Sequence, residues 1–317
     1  MFDIATSGEL LAEFMAEARG QRFDASGRFS GPFPSGAPAI FASQAARMGA
    51  RVAYAGRVGC DGFGDLVVER LRGDGIDVTA VQRDPERPTG TAFVSYQEDG
   101  SRHFIFNLAH SASGQQTLSE GELEHLSACR YFHVMGSSLA SKGAIEILLR
   151  LVERVKERGG RISFDPNVRL ELVASPGVRE ALLAVLARCD LFLPSDADLE
   201  WLAEPGEDAD ATVARLLSEY PMSLVVLKRA AAGCRAYTGE EVIEMPGLSV
   251  EEVDPTGAGD CFGGALVAAL VAGRPLPEAL RLANAAGAHA VTVLGPMEGC
   301  SDLTTLERRL AAAGETT

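Results

Sequence analysis

Asp254-Pro255-Thr256-Gly257-Ala258-Gly259-Asp260-Cys261-Phe262-Gly263-Gly264 sets four glycines and two aspartates in eleven residues, and the apolar run Ala265-Leu266-Val267-Ala268-Ala269-Leu270-Val271 follows at once. Glycines let backbone N–H groups point freely, and a helix start leaves its first N–H groups without intrahelical acceptors. A loop feeding such a helix attracts anions, phosphate above all. Asp260 is out of place in a pure phosphate cradle, because a carboxylate repels phosphate. It fits if it takes the proton of a hydroxyl that attacks the phosphorus. The stretch therefore points to phosphoryl transfer from a nucleotide to a small alcohol. Gly257, Gly259 and Gly263 also make a loose dinucleotide fingerprint, but no strong apolar strand precedes them and Asp260 lies where a pyrophosphate belongs. No Lys-Ser or Lys-Thr follows, so a Walker A loop is excluded. A glycine-rich turn with Asp260 as a helix cap stays open as the plain structural alternative.

Around this stretch, apolar segments of strand and helix length alternate. Phe2 to Thr6, Val52 to Gly56, Tyr131 to Met135, Arg161 to Asp165, Leu191 to Leu193 and Leu224 to Lys228 read as strands. Helical spacing falls after Ala37, after Gly64, over Ala144 to Lys156, Val178 to Ala187 and Ala211 to Glu219, and over Leu303 to Ala312. That alternation predicts a mostly parallel sheet covered on both faces. Two segments break the pattern. The Gly-, Arg-, Ser- and Phe-rich stretch up to Pro34 suits edge strands or a flap. Thr91 to Tyr96 and His103 to Asn107, joined by Glu98-Asp99-Gly100, read as a hairpin. Together they predict a β lid of residues 13–35 and 91–107 over a core of residues 1–12, 36–90 and 108–317.

The chain has 317 residues and a formal charge of −15, with 29 Lys plus Arg against 44 Asp plus Glu. That charge argues against nucleic acid and anionic membrane as partners. The apolar run near Phe262 to Gly273 is too short to span a bilayer. Cys60, Cys129, Cys189, Cys234, Cys261 and Cys300 form no CxxC pair and read as reduced core residues of a cytoplasmic protein; no basic, apolar leader opens the chain at Met1. The five histidines lack metal-ligand spacing, and Asp61-Gly62-Phe63-Gly64-Asp65 lacks the closing Glu of a calcium loop. Ser7 and Ser137 sit near strand ends without a nucleophile elbow. Glu204 to Asp210 reads as a solvated acidic loop. Asp165-Pro166-Asn167-Val168-Arg169 and Lys228-Arg229 each follow a strand end, where α/β sheets hold ligands. Each is either a ligand site or a solvated turn.

Taken together, these residues resemble the ribokinase-like (PfkB) carbohydrate kinases, along nearly the whole chain. Gly36-Ala37-Pro38-Ala39 looks like that family's early sugar-binding turn. Gly56-Arg57-Val58-Gly59-Cys60-Asp61-Gly62-Phe63-Gly64 resembles its first signature and Asp254 to Phe262 its second. The resemblance implies a three-layer αβα fold with a β lid that often forms a dimer interface. It implies Asp260 as catalytic base, with the N–H groups of Gly257, Ala258 and Gly259 as anion hole. Lys228, Gly233 and Asn284, with Gly257 and Gly259, fall where the family meets ATP. Asp198 and Asp254 fall near Mg2+, or for Asp254 near a K+ loop. Gly8, Glu13, Gly36, Ala37, Asn107 and Arg169 fall on the sugar side.

Three departures bear on substrate. Ile40 replaces the usual Asn after the glycine turn. Ser195-Asp196-Ala197-Asp198 replaces Asn-x-x-Glu. Glu13 is read as the nearest acid to the first strand. The branch resembled contains 2-keto-3-deoxygluconate kinases, fructokinases and tagatose kinases. An acid sugar wants a bidentate Arg for its carboxylate, whereas Asn107 occupies the expected position on the second lid strand and Arg102 and His103 are read as pointing elsewhere. The expectation is a neutral ketohexose, tagatose or fructose, with 2-keto-3-deoxygluconate as alternative. A nucleoside kinase and a non-catalytic sugar sensor on the same fold are the remaining ones.

Overall fold

A computed structural model describes residues 1–98, 101–139, 141–167 and 177–314. Its centre is a nine-stranded sheet in the order β13-β12-β11-β10-β9-β8-β1-β4-β5. The strands are β1 (Phe2–Ser7), β4 (Val52–Gly59), β5 (Asp77–Asp84), β8 (Cys129–Met135), β9 (Arg161–Asp165), β10 (Leu191–Phe192), β11 (Leu224–Lys228), β12 (Cys234–Thr238) and β13 (Val242–Met245). All pairings from β5 to β11 are parallel, and β12 and β13 add antiparallel. The chain leaves β1 toward β4 and β5, then returns to β8 on the other flank. The β1/β8 boundary is therefore a switch point of the kind where open α/β sheets hold ligands at the carboxyl ends of strands.

Side-chain parity splits the core into two layers. Ile4, Tyr131 and Val226 face one cluster; Ala5, Phe132 and Val225 face the other. The first is closed by α1 (Ala37–Arg47), α2 (Gly62–Gly73), α8 (Ala258–Val271), α9 (Leu276–Ala290) and α10 (Leu303–Ala312). The second is closed by α3 (Glu120–Ser127), α4 (Lys142–Glu157), α5 (Val178–Leu186), α6 (Asp196–Leu202) and α7 (Ala209–Glu219). Burial on both faces explains why the strands read as continuous apolar runs. The helix α8 is buried almost all round because its residues are small. A Cβ on Gly264 would lie 2.5 Å from the carbonyl oxygen of Phe41, so α8 and α1 approach backbone to backbone.

A second sheet of four strands, in the order β3-β2-β6-β7, joins β2 (Leu11–Ala16), β3 (Phe29–Ser35), β6 (Gly90–Tyr96) and β7 (Arg102–Asn107). The two segments that broke the α/β pattern are thus hydrogen-bonded to each other. In the hairpin, Tyr96 pairs with Arg102 and Thr91 with Asn107.

Some expectations need correction. Cys60 is exposed, since it opens the turn after β4; the other five cysteines are buried and none of the six is in a disulfide. The 204–210 loop is not merely solvated: Arg215 Nε donates to Glu207 at 2.8 Å and Arg235 Nη1 to Asp210 at 2.7 Å. Neither β5 nor α3 belongs to the expected alternation. β5 mixes apolar and polar positions, and α3 is only two turns long. Yet Ser119 and Glu122 close a reciprocal capping box at α3, a signal present in the sequence.

Phe132 is fully buried in the second layer. Phe132→Ala is expected to lower unfolding stability by about 3–5 kcal/mol through lost burial and the cavity left behind. Urea denaturation followed by circular dichroism checks this; a loss below about 1 kcal/mol would contradict the packing described.

Candidate active site

A cleft of about 1160 Å³ opens at the carboxyl ends of the parallel strands. Its walls hold Gly8 after β1, Ser137 and Ser138 after β8, Asp165 ending β9, Ser195 after β10 and Lys228 ending β11. The start of α8 and the facing strand β7 complete it. The volume exceeds a typical single-ligand pocket, which suits two substrates meeting.

The phosphate side is built on the α8 start. Gly257 is the N-cap residue at φ 79°, and a Cβ there would lie 2.5 Å from the Pro296 carbonyl oxygen. Only glycine meets both conditions. The first full helical bond runs from Cys261 N to Gly257 O at 2.8 Å, while Ala258 N reaches back to Pro255 O at 3.5 Å. The N-cap position is held by Gly257, which has no side chain to cap with, and Asp260 lies inside the helix rather than at the cap position. Asp260 lies in the first turn and on the cleft wall with Gly257, Ala258 and Gly259.

Across the cleft, Lys228 Nζ bonds the Asp165 carboxylate, and a Cβ on Gly259 would sit 3.6 Å from that same Nζ. Burial works against the Lys228 charge, but Asp165 foremost, then Asp198 and Asp260, outweigh it and raise its pKa. The ammonium therefore stays charged beside the helix start. Asp198 is 2% exposed and forms a capping box at α6, accepting from Ser195 N at 2.7 Å and Ser195 Oγ at 2.6 Å. Ser195 thus orients Asp198.

Gly233 and Asn284, expected where the nucleotide binds, line the cleft with Gly287 and Val291. Asn284 Nδ2 donates to the Met245 and Pro246 carbonyls at 3.2 and 3.0 Å, so this side chain pins the strand β13 exit.

Gly8, Glu13, Gly36 and Ala37, expected on the sugar side, all line the cleft. The acid nearest the first strand is Glu9, not Glu13. The Glu9 carboxylate accepts from Ser137 Oγ at 2.8 Å and from Ser138 Oγ at 2.6 Å, just beyond β1. Its carbonyl lies against Gly36 at the N-terminus of α1. Glu13 is buried within β2 and takes Ser35 Oγ at 2.6 Å. The serines that hold Glu9 are far away in the chain, so adjacency could not reveal them. A simple count from the end of β1 would have found Glu9. Ile40 lines the cleft and packs against Gly257, so the position that departs from the family pattern is apolar wall.

Two expected site residues lie elsewhere. Asn107 is on a separate pocket of about 860 Å³ and gives its Nδ2 to Thr91 Oγ1 at 3.2 Å. Strand parity is the reason: Arg102, Phe104 and Phe106 reach the main cleft, and Asn107 has the opposite parity. Arg102, expected to point elsewhere, lines the cleft. Asp254 is fully buried behind the wall, and its oxygens accept from Tyr96 Oη, Thr256 N and Gly295 N at 2.6, 3.0 and 2.9 Å. Those donors make its carboxylate a brace of the loop rather than a magnesium ligand. Arg169 lies outside the described residues.

A helix start that gathers anions, a carboxylate in its first turn and a fixed ammonium opposite define a phosphotransferase on a ribokinase-like α/β fold. Residues 31–303 match the pfkB family carbohydrate kinase description, and the chain belongs to that family. It is an ATP-dependent carbohydrate kinase. Among relatives, it is 31% identical to fructokinase-2 of Zea mays, covering 98% of this chain and 94% of that one. A structure from E. coli described as a "putative Ribokinase II" in complex with ATP and Mg2+ superposes with TM-score 0.92 at 42% identity, over 98% of this chain and 100% of that one. A Vibrio cholerae O395 fructokinase with fructose, ADP and calcium bound gives TM-score 0.82 at 26% identity, over 98% of this chain and 99% of that one.

The buried Lys228–Asp165 pair gives a direct test. Lys228→Met should cost about 3–5 kcal/mol, because it strands a buried carboxylate. Adding Asp165→Asn should recover part of that loss. Thermal unfolding of both variants checks it; equal stability of single variant and wild type would refute the pairing.

Proposed function

We propose that this kinase transfers the γ-phosphoryl group of ATP to a primary hydroxyl of a neutral ketohexose, fructose or tagatose. The observation that carries the reading is Glu9. Its carboxylate is held by two serine hydroxyls on the sugar-side wall. A fixed carboxylate accepts hydrogen bonds from sugar hydroxyls and repels a substrate carboxylate. The fructokinase relatives, and the fructose in the Vibrio cholerae structure, support the same substrate class. One observation favours a second reading. Arg102 reaches the cleft from β7, where its guanidinium could hold the carboxylate of 2-keto-3-deoxygluconate.

In the proposed reaction the sugar lies between Glu9 and Asp260, and the four-stranded sheet covers it as a lid that excludes water. Asp260 takes the hydroxyl proton as the oxygen attacks. Amides at the start of α8 and the Lys228 ammonium steady the charge that develops on the transferred group. A magnesium ion, when bound with the nucleotide, neutralises charge on the phosphate oxygens. Asp198 is the residue that would hold it, through water. Among the described residues no three His, Cys, Asp or Glu side chains gather as a metal cage, which suits an ion that keeps waters and phosphates as most of its ligands. K+ has a place in this reading only through oxygens other than those of the Asp254 carboxylate. The same reading makes the protein a cytoplasmic homodimer joined through the outer edge of the four-stranded sheet, where Ile105 and Phe106 are each 41% exposed.

A panel of fructose, tagatose, 2-keto-3-deoxygluconate and a nucleoside, with ATP consumption as readout, tests the substrate. Fructose or tagatose is expected to give the highest kcat/KM; turnover of the acid sugar alone would transfer the assignment to the Arg102 reading. Asp260→Asn should cut turnover about 10³-fold with the fold retained. Glu9→Gln should raise the sugar KM about tenfold, since an orienting charged hydrogen bond becomes a neutral one, and should leave the KM for ATP within about twofold.

A further inference from the structure

The lid sheet and the transfer loop meet through a pair of residues, of which Tyr96 has no part in the chemistry above. Tyr96 ends β6, Arg102 opens β7, and the two are direct cross-strand partners. Tyr96 Oη donates to Asp254 Oδ1 at 2.6 Å, and Arg102 Nη1 lies 3.4 Å from Thr256 Oγ1. Asp254 is a rigid receiver. It is fully buried, and its other bonds hold Thr256 N and Gly295 N. Thr256 immediately precedes the Gly257 cap, and Gly295 immediately precedes Pro296, whose carbonyl crowds that cap. One carboxylate therefore ties together the lid and both strands of backbone that set the α8 start. Burial first, then Asp254, raises the Tyr96 phenol pKa, so the hydroxyl remains a donor through the neutral range.

We infer that Tyr96 is a positioning residue that latches the four-stranded sheet to Asp254, so that the turn carrying Gly257 to Asp260 takes its transfer geometry only where the sheet covers the cleft. Tyr96 acts through Asp254 and does not touch the substrates. The device makes phosphoryl transfer depend on coverage of the sugar, and so disfavours transfer to water. A shift of the loop by a fraction of an ångström is enough to matter, since misplacement of about 1 Å can cost about 10²-fold in rate.

The inference rests on reading Gly257 to Asp260 as the transfer loop. Tyr96→Phe deletes one hydroxyl and keeps the ring. The readout is the ratio of sugar phosphorylation to sugar-independent ATP hydrolysis in one preparation, which does not change with the fraction of folded enzyme. That ratio is expected to fall by about tenfold, with KM for sugar and ATP within about threefold of wild type. A fall smaller than about fivefold overturns the latch. Asp260→Asn in the same assay tests the underlying reading separately. If that variant keeps sugar-dependent turnover, the transfer loop itself is misassigned. If it is inactive while Tyr96→Phe behaves as wild type, only the latch fails.

Discussion

The separation of α1 and α8 is the constraint from which the site follows. At Gly264 the two helices touch with no side chain between them, and the Phe41 carbonyl occupies the space a Cβ would need. Helix α1 begins at Gly36, beside the Glu9 carbonyl, so the sugar-side wall is fixed to one of these helices. Helix α8 begins at Gly257, so the phosphate-side wall is fixed to the other. Ile40 on the second turn of α1 closes against Gly257. In the proposed reaction the distance between hydroxyl and phosphate is then set by helix packing in a close-packed core, which transmits displacement rather than absorbing it. A loop-built site could not hold that spacing as well.

Charge works alongside this packing. The chain is acidic overall, and its cleft carries Glu9, Glu13, Asp165, Asp198 and Asp260. A polyanionic nucleotide enters such a place only where positive potential is local and fixed. In the proposed reaction Lys228 supplies it, its ammonium held in a buried, oriented state by Asp165. The helix start adds the partial charge of its amides. Asp198, set by the Ser195 capping box, is in the proposed reading the acid that would serve a hard cation. The substitution of Ser for the family's usual Asn at 195 therefore keeps a role: its hydroxyl orients the carboxylate three residues on.

How much of this was legible in the sequence depends on the range of the cause. The α/β alternation, the parallel sheet and the 254–264 turn come from local periodicity and glycine placement, and they stand in the structure as read. Strands β6 and β7 pair antiparallel as the hairpin reading implies, and their joining to β2 and β3 makes the second sheet. Long-range partners were invisible. Nothing near Glu9 announces Ser137 and Ser138, and nothing near Asp254 announces Tyr96. The family resemblance alone places Asp254 near a metal; two of its three donors, Tyr96 and Gly295, come from remote segments. On β7 the difficulty was parity. A strand offers alternate residues to opposite faces, so a one-residue error in phase exchanges Asn107 for Arg102 at the cleft.

That exchange matters for specificity, because the cleft then presents both an acid and a base to the sugar. The two are not equivalent. Glu9 is locked by two hydroxyls on the rigid core, at the end of the central strand β1. Arg102 rides on an edge strand of the smaller sheet, where Phe104 lies under its guanidinium at 5.6 Å and Thr256 takes its Nη1. Its charge is directed along the transfer loop, so it is already engaged on the phosphate side. A substrate carboxylate would have to draw Arg102 from those contacts and also tolerate Glu9, and each step opposes binding. A neutral polyol needs neither. In the proposed reading, the asymmetry in how the two side chains are anchored, more than the presence of either, favours a neutral ketohexose.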